Sequence, residues 1–170
     1  RRRHSFPTRR SSDLPSNANA HYNMGNALHH MQQFKRAIDS YTRAVELNPS
    51  FFLAFNNRGL SKLASQDYTG ALKDFERAID LNQNYAEAYK NKGAVLCKQS
   101  KQVEALDCFN KAITLEPGNS DAICYLANTF RELKRYEEAI AFAEQALVTN
   151  PNLTEAWLNK GIALKELKRF

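Results

Sequence analysis

Small residues recur along this chain at an interval of 34 positions. Gly25, Gly59, Gly93 and Gly161 hold one register, with Ala127 in the remaining place. Ala37, Ala71, Ala105 and Ala139 hold a second, and Ala44, Ala78, Ala112 and Ala146 a third. Ala20, Ala54, Ala88, Ala122 and Ala156 follow the same step, as do Pro49, Pro117 and Pro151, where Gln83 stands in once. No insertion interrupts the count. A fixed interval of this size marks an array in which each unit is one small supersecondary element stacked on the next.

Within a unit the apolar residues follow helical spacing, as Leu72, Phe75, Ala78 and Ile79 do on one face. The pattern predicts two helices per unit, for example Leu53 to Ser65 and Tyr68 to Leu81. Breakers separate them: Gln66-Asp67 inside a unit and Asn48-Pro49-Ser50 between units. Proline ends a helix because it lacks the N–H and its ring clashes with the preceding turn. One helix pair cannot bury its own apolar face, so stacked pairs must share a continuous core. The expected fold class is therefore all-α, a superhelix of antiparallel helix pairs.

The unit resembles the tetratricopeptide repeat family. The residues that carry the resemblance are the bulky openers Phe55, Tyr89 and Trp157 and the small residues four further on. With them go the pairs Ala37–Tyr41, Ala71–Phe75 and Ala105–Phe109, and a closing N-P or E-P. The resemblance implies a right-handed solenoid with a concave groove lined by the first helix of each unit. Units are expected at 18–51, 52–85, 86–119 and 120–153, with the first helix of a fifth at 154–170. Repeat four departs from the pattern at Ala127 and Ala143, and repeat one opens with His21. Lys62 stands where the family has a bulky apolar residue, and Leu63 is expected to compensate. Phe170 falls in the column of Phe34, Tyr68 and Tyr136, which opens a second helix. The chain is thus expected to be cut at both ends. An exposed apolar patch around Trp157, Leu158 and Ile162 is expected to drive self-association.

Charge points away from nucleic acid. The 170 residues hold 24 Lys+Arg against 18 Asp+Glu, a net +6. Five of those bases lie in the first fourteen positions, and without that segment 19 basic residues face 17 acidic ones. A body so nearly neutral has no strong field for phosphate. His4 to Leu14, HSFPTRRSSDL, resembles the translation of a common short-read sequencing adapter. Residues 1–17 are therefore expected to be a non-native or disordered tail. No run of about 18 apolar residues suggests a membrane span. Cys97, Cys108 and Cys124 are too few and odd in number for a disulfide scaffold, so a reducing, cytoplasmic location is expected. Cys97 and Cys124 fall on adjacent first helices and are read as small buried hydrophobes. His21 and His29 lie eight residues apart, too far along a helix to share a metal. No nucleophile–base pairing and no glycine-rich phosphate loop is evident. No catalytic residue, metal or cofactor is expected, and the chain is read as a non-enzyme.

Candidate binding residues come from three columns of the first helices. One is Asn23, Asn57, Asn91, Tyr125 and Asn159; the next includes Asn26, Leu60 and Asn128; the third begins with Tyr22 and Asn56. The first column resembles the asparagine ladder of the O-linked N-acetylglucosamine transferase repeats, which implies amides gripping an extended peptide backbone. An amide both donates and accepts, so it can hold a peptide unit whatever the side chain. The same amides could instead bridge neighbouring helices. The carboxylate clamp of chaperone-binding members is not matched, because Tyr22 and Glu87 replace its lysines. Leu60 and Leu63 could form a pocket for a ligand side chain or pack as core. The expected partner is a protein or peptide, held by Asn23, Asn26, Asn57, Asn91, Asn128, Asn159, Tyr22, Tyr125, Leu60 and Leu63. The alternatives are a substrate-recruiting arm of a larger glycosyltransferase-like enzyme, and an architectural scaffold.

Overall fold

The computed structural model describes residues 17–168. The adapter-like segment at 4–14 lies outside them, as does Phe170. Among the described residues there are nine helices and no strands. The first helices of the units are α1 (Ala18–His30), α3 (Phe52–Ala64), α5 (Ala86–Lys98), α7 (Ser120–Glu132) and α9 (Thr154–Glu166). The second helices are α2 (Phe34–Leu47), α4 (Tyr68–Leu81), α6 (Gln102–Leu115) and α8 (Tyr136–Thr149). Every first helix has 13 residues and every second helix 14, so the sequence interval is reproduced in the backbone.

Local chemistry sets the ends. Asn17 accepts from the Asn19 amide at 3.0 Å and starts α1. Asp67 accepts from the Gly70 amide at 2.9 Å and starts α4, satisfying a donor the helix cannot satisfy itself. Between units, Asn48, Asn82 and Asn150 each accept from the amide two residues on, at 3.1–3.2 Å. These side-chain turns compete with the helix and stop it. Inside units the corner residue is left-handed every time: Gln32, Gln66, Ser100, Lys134 and Lys168 have φ of 55–64°.

The core repeats as well. The alanines at 37, 71, 105 and 139, and those at 44, 78, 112 and 146, have no exposed surface. The rings of Tyr41, Phe75 and Phe109 lie directly on Gly25, Gly59 and Gly93. A Cβ on Gly59 would sit 2.7 Å from Phe75 Cε1, so hydrogen is the only side chain that admits the ring. Repeat four solves the same space differently. Ala127 and Ala143 are both fully buried, and the aromatic moves one position earlier to Phe142, which stacks on Phe130 at 5.3 Å. At Gly161 an added Cβ would meet nothing within 4 Å.

Lys62 is accommodated by Asp74, not by Leu63. Lys62 Nζ lies 2.7 Å from Asp74 Oδ2, and Arg58 grips the same carboxylate through Nε at 2.8 Å and Nη2 at 2.6 Å. Asp74 is 3% exposed. Leu28, Leu96 and Phe130 fill the equivalent of Lys62, and Ser40, Cys108 and Phe142 that of Asp74. A charged cluster thus replaces an apolar contact in this one unit. Leu63 packs instead with the partly buried residues around Phe75 and Val95. Adjacent units are also tied by pairs sixteen residues apart: Arg58 to Thr42 at 3.2 Å, Lys92 to Glu76 at 3.0 Å and Lys160 to Glu144 at 2.9 Å.

Candidate functional site

The first helices stack side by side and leave a cleft of about 730 Å³ across α3, α5, α7 and α9. Every lining residue except Leu153 comes from those helices. Of the ten residues singled out in the sequence, Leu60, Asn91, Tyr125, Asn128 and Asn159 line this cleft. Tyr22, Asn23, Asn26, Asn57 and Leu63 do not.

The asparagine column does not present a row of free amides. Asn57 commits both amide hydrogens, to Tyr22 Oη at 3.1 Å and Asn26 Oδ1 at 2.9 Å, and accepts from Asn56 at 3.1 Å. Asn91 is buried and donates to Asn56 Oδ1 at 3.0 Å. Tyr41 Oη closes the far end on Asn26 Oδ1 at 2.7 Å. One polar chain therefore crosses α1, α2, α3 and α5. Asn159 is buried too, donating to Cys124 Sγ at 3.6 Å and accepting from Arg131 Nε at 3.2 Å. The physical reason is proximity. Successive first helices touch, and a buried amide takes the nearest partner because an unpaired one is costly. Asn23 remains exposed, and Asn128 holds Arg131 Nη2 at 2.6 Å and Glu132 Oε1 at 3.1 Å.

The floor of the cleft is mainly apolar: Leu60, Cys124, Tyr125, Leu153 and Leu158. The Tyr125 ring stacks on buried Phe109, centroids 5.5 Å apart, while the residue stays 43% exposed. Burial raises the Cys124 thiol to about 11, so it is neutral at ordinary pH and adds apolar surface rather than a nucleophile. Burial also raises Cys97, whose sulfur lies 3.4 Å from Thr129 Oγ1. Cys97, Cys108 and Cys124 are all free thiols. Among the described residues no group of three potential ligands could hold a metal, and no helix is long and apolar enough to cross a membrane.

The lining charges are mixed. Glu87 pairs with Lys90 at 2.8 Å, and Asp121, Arg131 and Glu155 complete the set. The sequence showed Arg131 as a charge but not as a strut. Its guanidinium joins Asn128 of its own helix to Asn159 of the next, and fixes the spacing of α7 and α9.

Uniform hairpins, shared core and an open cleft along one set of helices define a helical-repeat solenoid. The chain belongs to the tetratricopeptide repeat family. Tetratricopeptide repeat models match residues 18–51 and 86–119, 108–141 and 125–163, and a TPR repeat model matches 61–100. No curated protein matches the sequence. Among solved structures, MamA is 19% identical with a TM-score of 0.79, covering 89% of this chain and 83% of its own. A further MamA structure is 22% identical with a TM-score of 0.77, covering 85% and 84%. YrrB, described as a TPR protein with an unusual peptide-binding site, is 21% identical with a TM-score of 0.74, covering 93% and 81%. At such identities these likenesses establish the fold.

Proposed function

We propose that the chain is a non-catalytic protein-interaction module that takes an extended peptide or partner helix in the cleft across α3, α5, α7 and α9. The observation that carries this reading is the cleft itself. It is concave, apolar at its floor and edged by polar groups, the usual make-up of a recognition site. Family membership and the peptide-binding description of YrrB support it. In this reading Leu60, Tyr125 and Leu158 contact ligand side chains, and Asn128 exchanges its exposed contact to Glu132 for the ligand backbone, while Asn23 lies on α1 outside the cleft. Asn57, Asn91 and Asn159 hold the helices at the spacing the ligand meets.

The test is selection of binders from a random dodecapeptide phage library, followed by anisotropy titration of the selected peptides. Leu60→Asp is expected to weaken them by about tenfold or more, since it puts a charge on the apolar floor. Raising salt from about 50 to about 500 mM is expected to change Kd by less than about tenfold, because the lining charges nearly cancel. Selected peptides that bind Leu60→Asp as tightly as the parent would overturn the assignment.

A second reading, a scaffold that assembles through its own end, is favoured by α9. Trp157 and Leu158 are 54% and 60% exposed, and space is open at Gly161. The patch is narrower than the sequence suggested. Ile162 is half-buried, Leu158 faces the cleft, and the Trp157 indole N–H donates to Pro151 O at 2.9 Å. The expected result by light scattering is a mass that rises with concentration and a monomer for Trp157→Glu. A parent chain that stays monomeric at high concentration removes this reading.

A further inference from the structure

The charges around the cleft are sorted across its width. The column Asn19, Leu53, Glu87, Asp121, Glu155 occupies the start of each first helix, and its three acids sit on α5, α7 and α9, which line the cleft. Glu87 is matched by Lys90 at 2.8 Å. Among the described residues Asp121 and Glu155 make no salt bridge. The other lining cation, Arg131, lies ten residues further along α7 than Asp121, about 15 Å down the helix axis, and is engaged by two amides. It stands on the opposite lip. Each first-turn carboxylate also offsets the positive end of its own helix, which accounts for an acid there but leaves its charge facing the cleft.

Building on the peptide-groove reading above, we propose that the ligand is an extended peptide with an apolar anchor and two cationic side chains, seated with its cations on the Asp121–Glu155 lip. Charge complementarity selects this occupant. The two carboxylates stand on α7 and α9, which are in direct contact, so the helix axes lie about 10 Å apart. An extended chain in the polyproline II conformation advances about 3.1 Å per residue with about three residues per turn, so side chains three residues apart share one face and match that gap. The apolar anchor falls on Tyr125 and Leu158, between the lips. A peptide with acids in those places meets two like charges and is disfavoured.

The probes are dye-labelled dodecapeptides of one frame with one leucine placed for Tyr125 and Leu158 and a second placed towards α3 for Leu60. They carry lysine at two sites three residues apart, glutamate at the same sites, or glutamine at both. Anisotropy titrations at low salt are run on the parent, on Asp121→Asn/Glu155→Gln and on Leu60→Asp. The lysine peptide is expected to bind at least about fivefold tighter than the glutamine peptide. That preference should vanish in Asp121→Asn/Glu155→Gln, with circular dichroism showing an unchanged fold. Glutamate peptides that bind as well as lysine peptides, with Leu60→Asp still abolishing binding, overturn the charge assignment and leave the groove standing. A lysine preference that survives in Asp121→Asn/Glu155→Gln overturns it as well. If no peptide of the frame binds in a way that Leu60→Asp weakens, the groove reading and the charge assignment fall together.

Discussion

Asp74→Ala is expected to lower the free energy of unfolding by about 2–3 kcal/mol, read from urea denaturation followed by far-UV circular dichroism. The carboxylate is buried and receives three contacts from Arg58 and Lys62. Removing it leaves two cations facing each other without a counter-charge. Breaking a fully buried pair costs about 3–5 kcal/mol, but these side chains keep 14% and 19% of their exposure, so water recovers part of the loss. The double variant Lys62→Leu/Asp74→Cys copies the third repeat, where Leu96 and Cys108 hold these places. It is expected to regain more than half of the stability, because Arg58 keeps Thr42 and some solvent. Asp74→Ala at parental stability would mean that the cluster contributes nothing.

The second large effect concerns one substitution made at two equivalent places. Gly59→Ala is expected to destabilise by about 1–3 kcal/mol, although alanine is the better helix former by about 1 kcal/mol. The added Cβ meets the Phe75 ring at 2.7 Å, and that ring is fully buried with nowhere to swing. Gly161→Ala, where the space is open, is expected to stabilise by up to about 1 kcal/mol. Phe75→Ala alone should cost about 3–5 kcal/mol. Combined with Gly59→Ala it should cost less than the sum, since the new methyl enters the space the ring vacates. Thermal or urea unfolding of the four variants checks the cycle. Equal signs at 59 and 161 would refute the ring-on-glycine account.

The backbone of the chain was largely readable in its sequence. The helix ends expected for the second unit, Leu53 to Ser65 and Tyr68 to Leu81, lie within one residue of those found. Interval and apolar spacing report what the units share, namely the buried alanines and, in the first three units, the rings on glycine. Polar contacts were harder to read because they run diagonally. Asn57 meets Tyr22, Asn91 meets Asn56, and Asn159 meets Cys124, each pair thirty-five residues apart. A column compared only with itself at the repeat interval misses that offset. Lys62 stood out in its column, but its partner Asp74 was missed for a related reason: the two break two columns at once, and only reading both breaks together shows one compensating the other. The shift of an aromatic from the place of Ala143 to Phe142 is of the same kind.

The left-handed corners at Gln32, Gln66, Ser100, Lys134 and Lys168 bear on how the molecule can be handled. None is glycine, although glycine alone adopts that geometry without penalty, roughly 1 kcal/mol for other residues. Each bend is therefore imposed by the helices it joins rather than by its own chemistry, and all five side chains are exposed. They form a ruler of evenly graduated anchorage points, none of them lining the cleft. Dyes, tethers or inserted loops grafted there would report on the molecule at regular intervals while leaving its working surface bare.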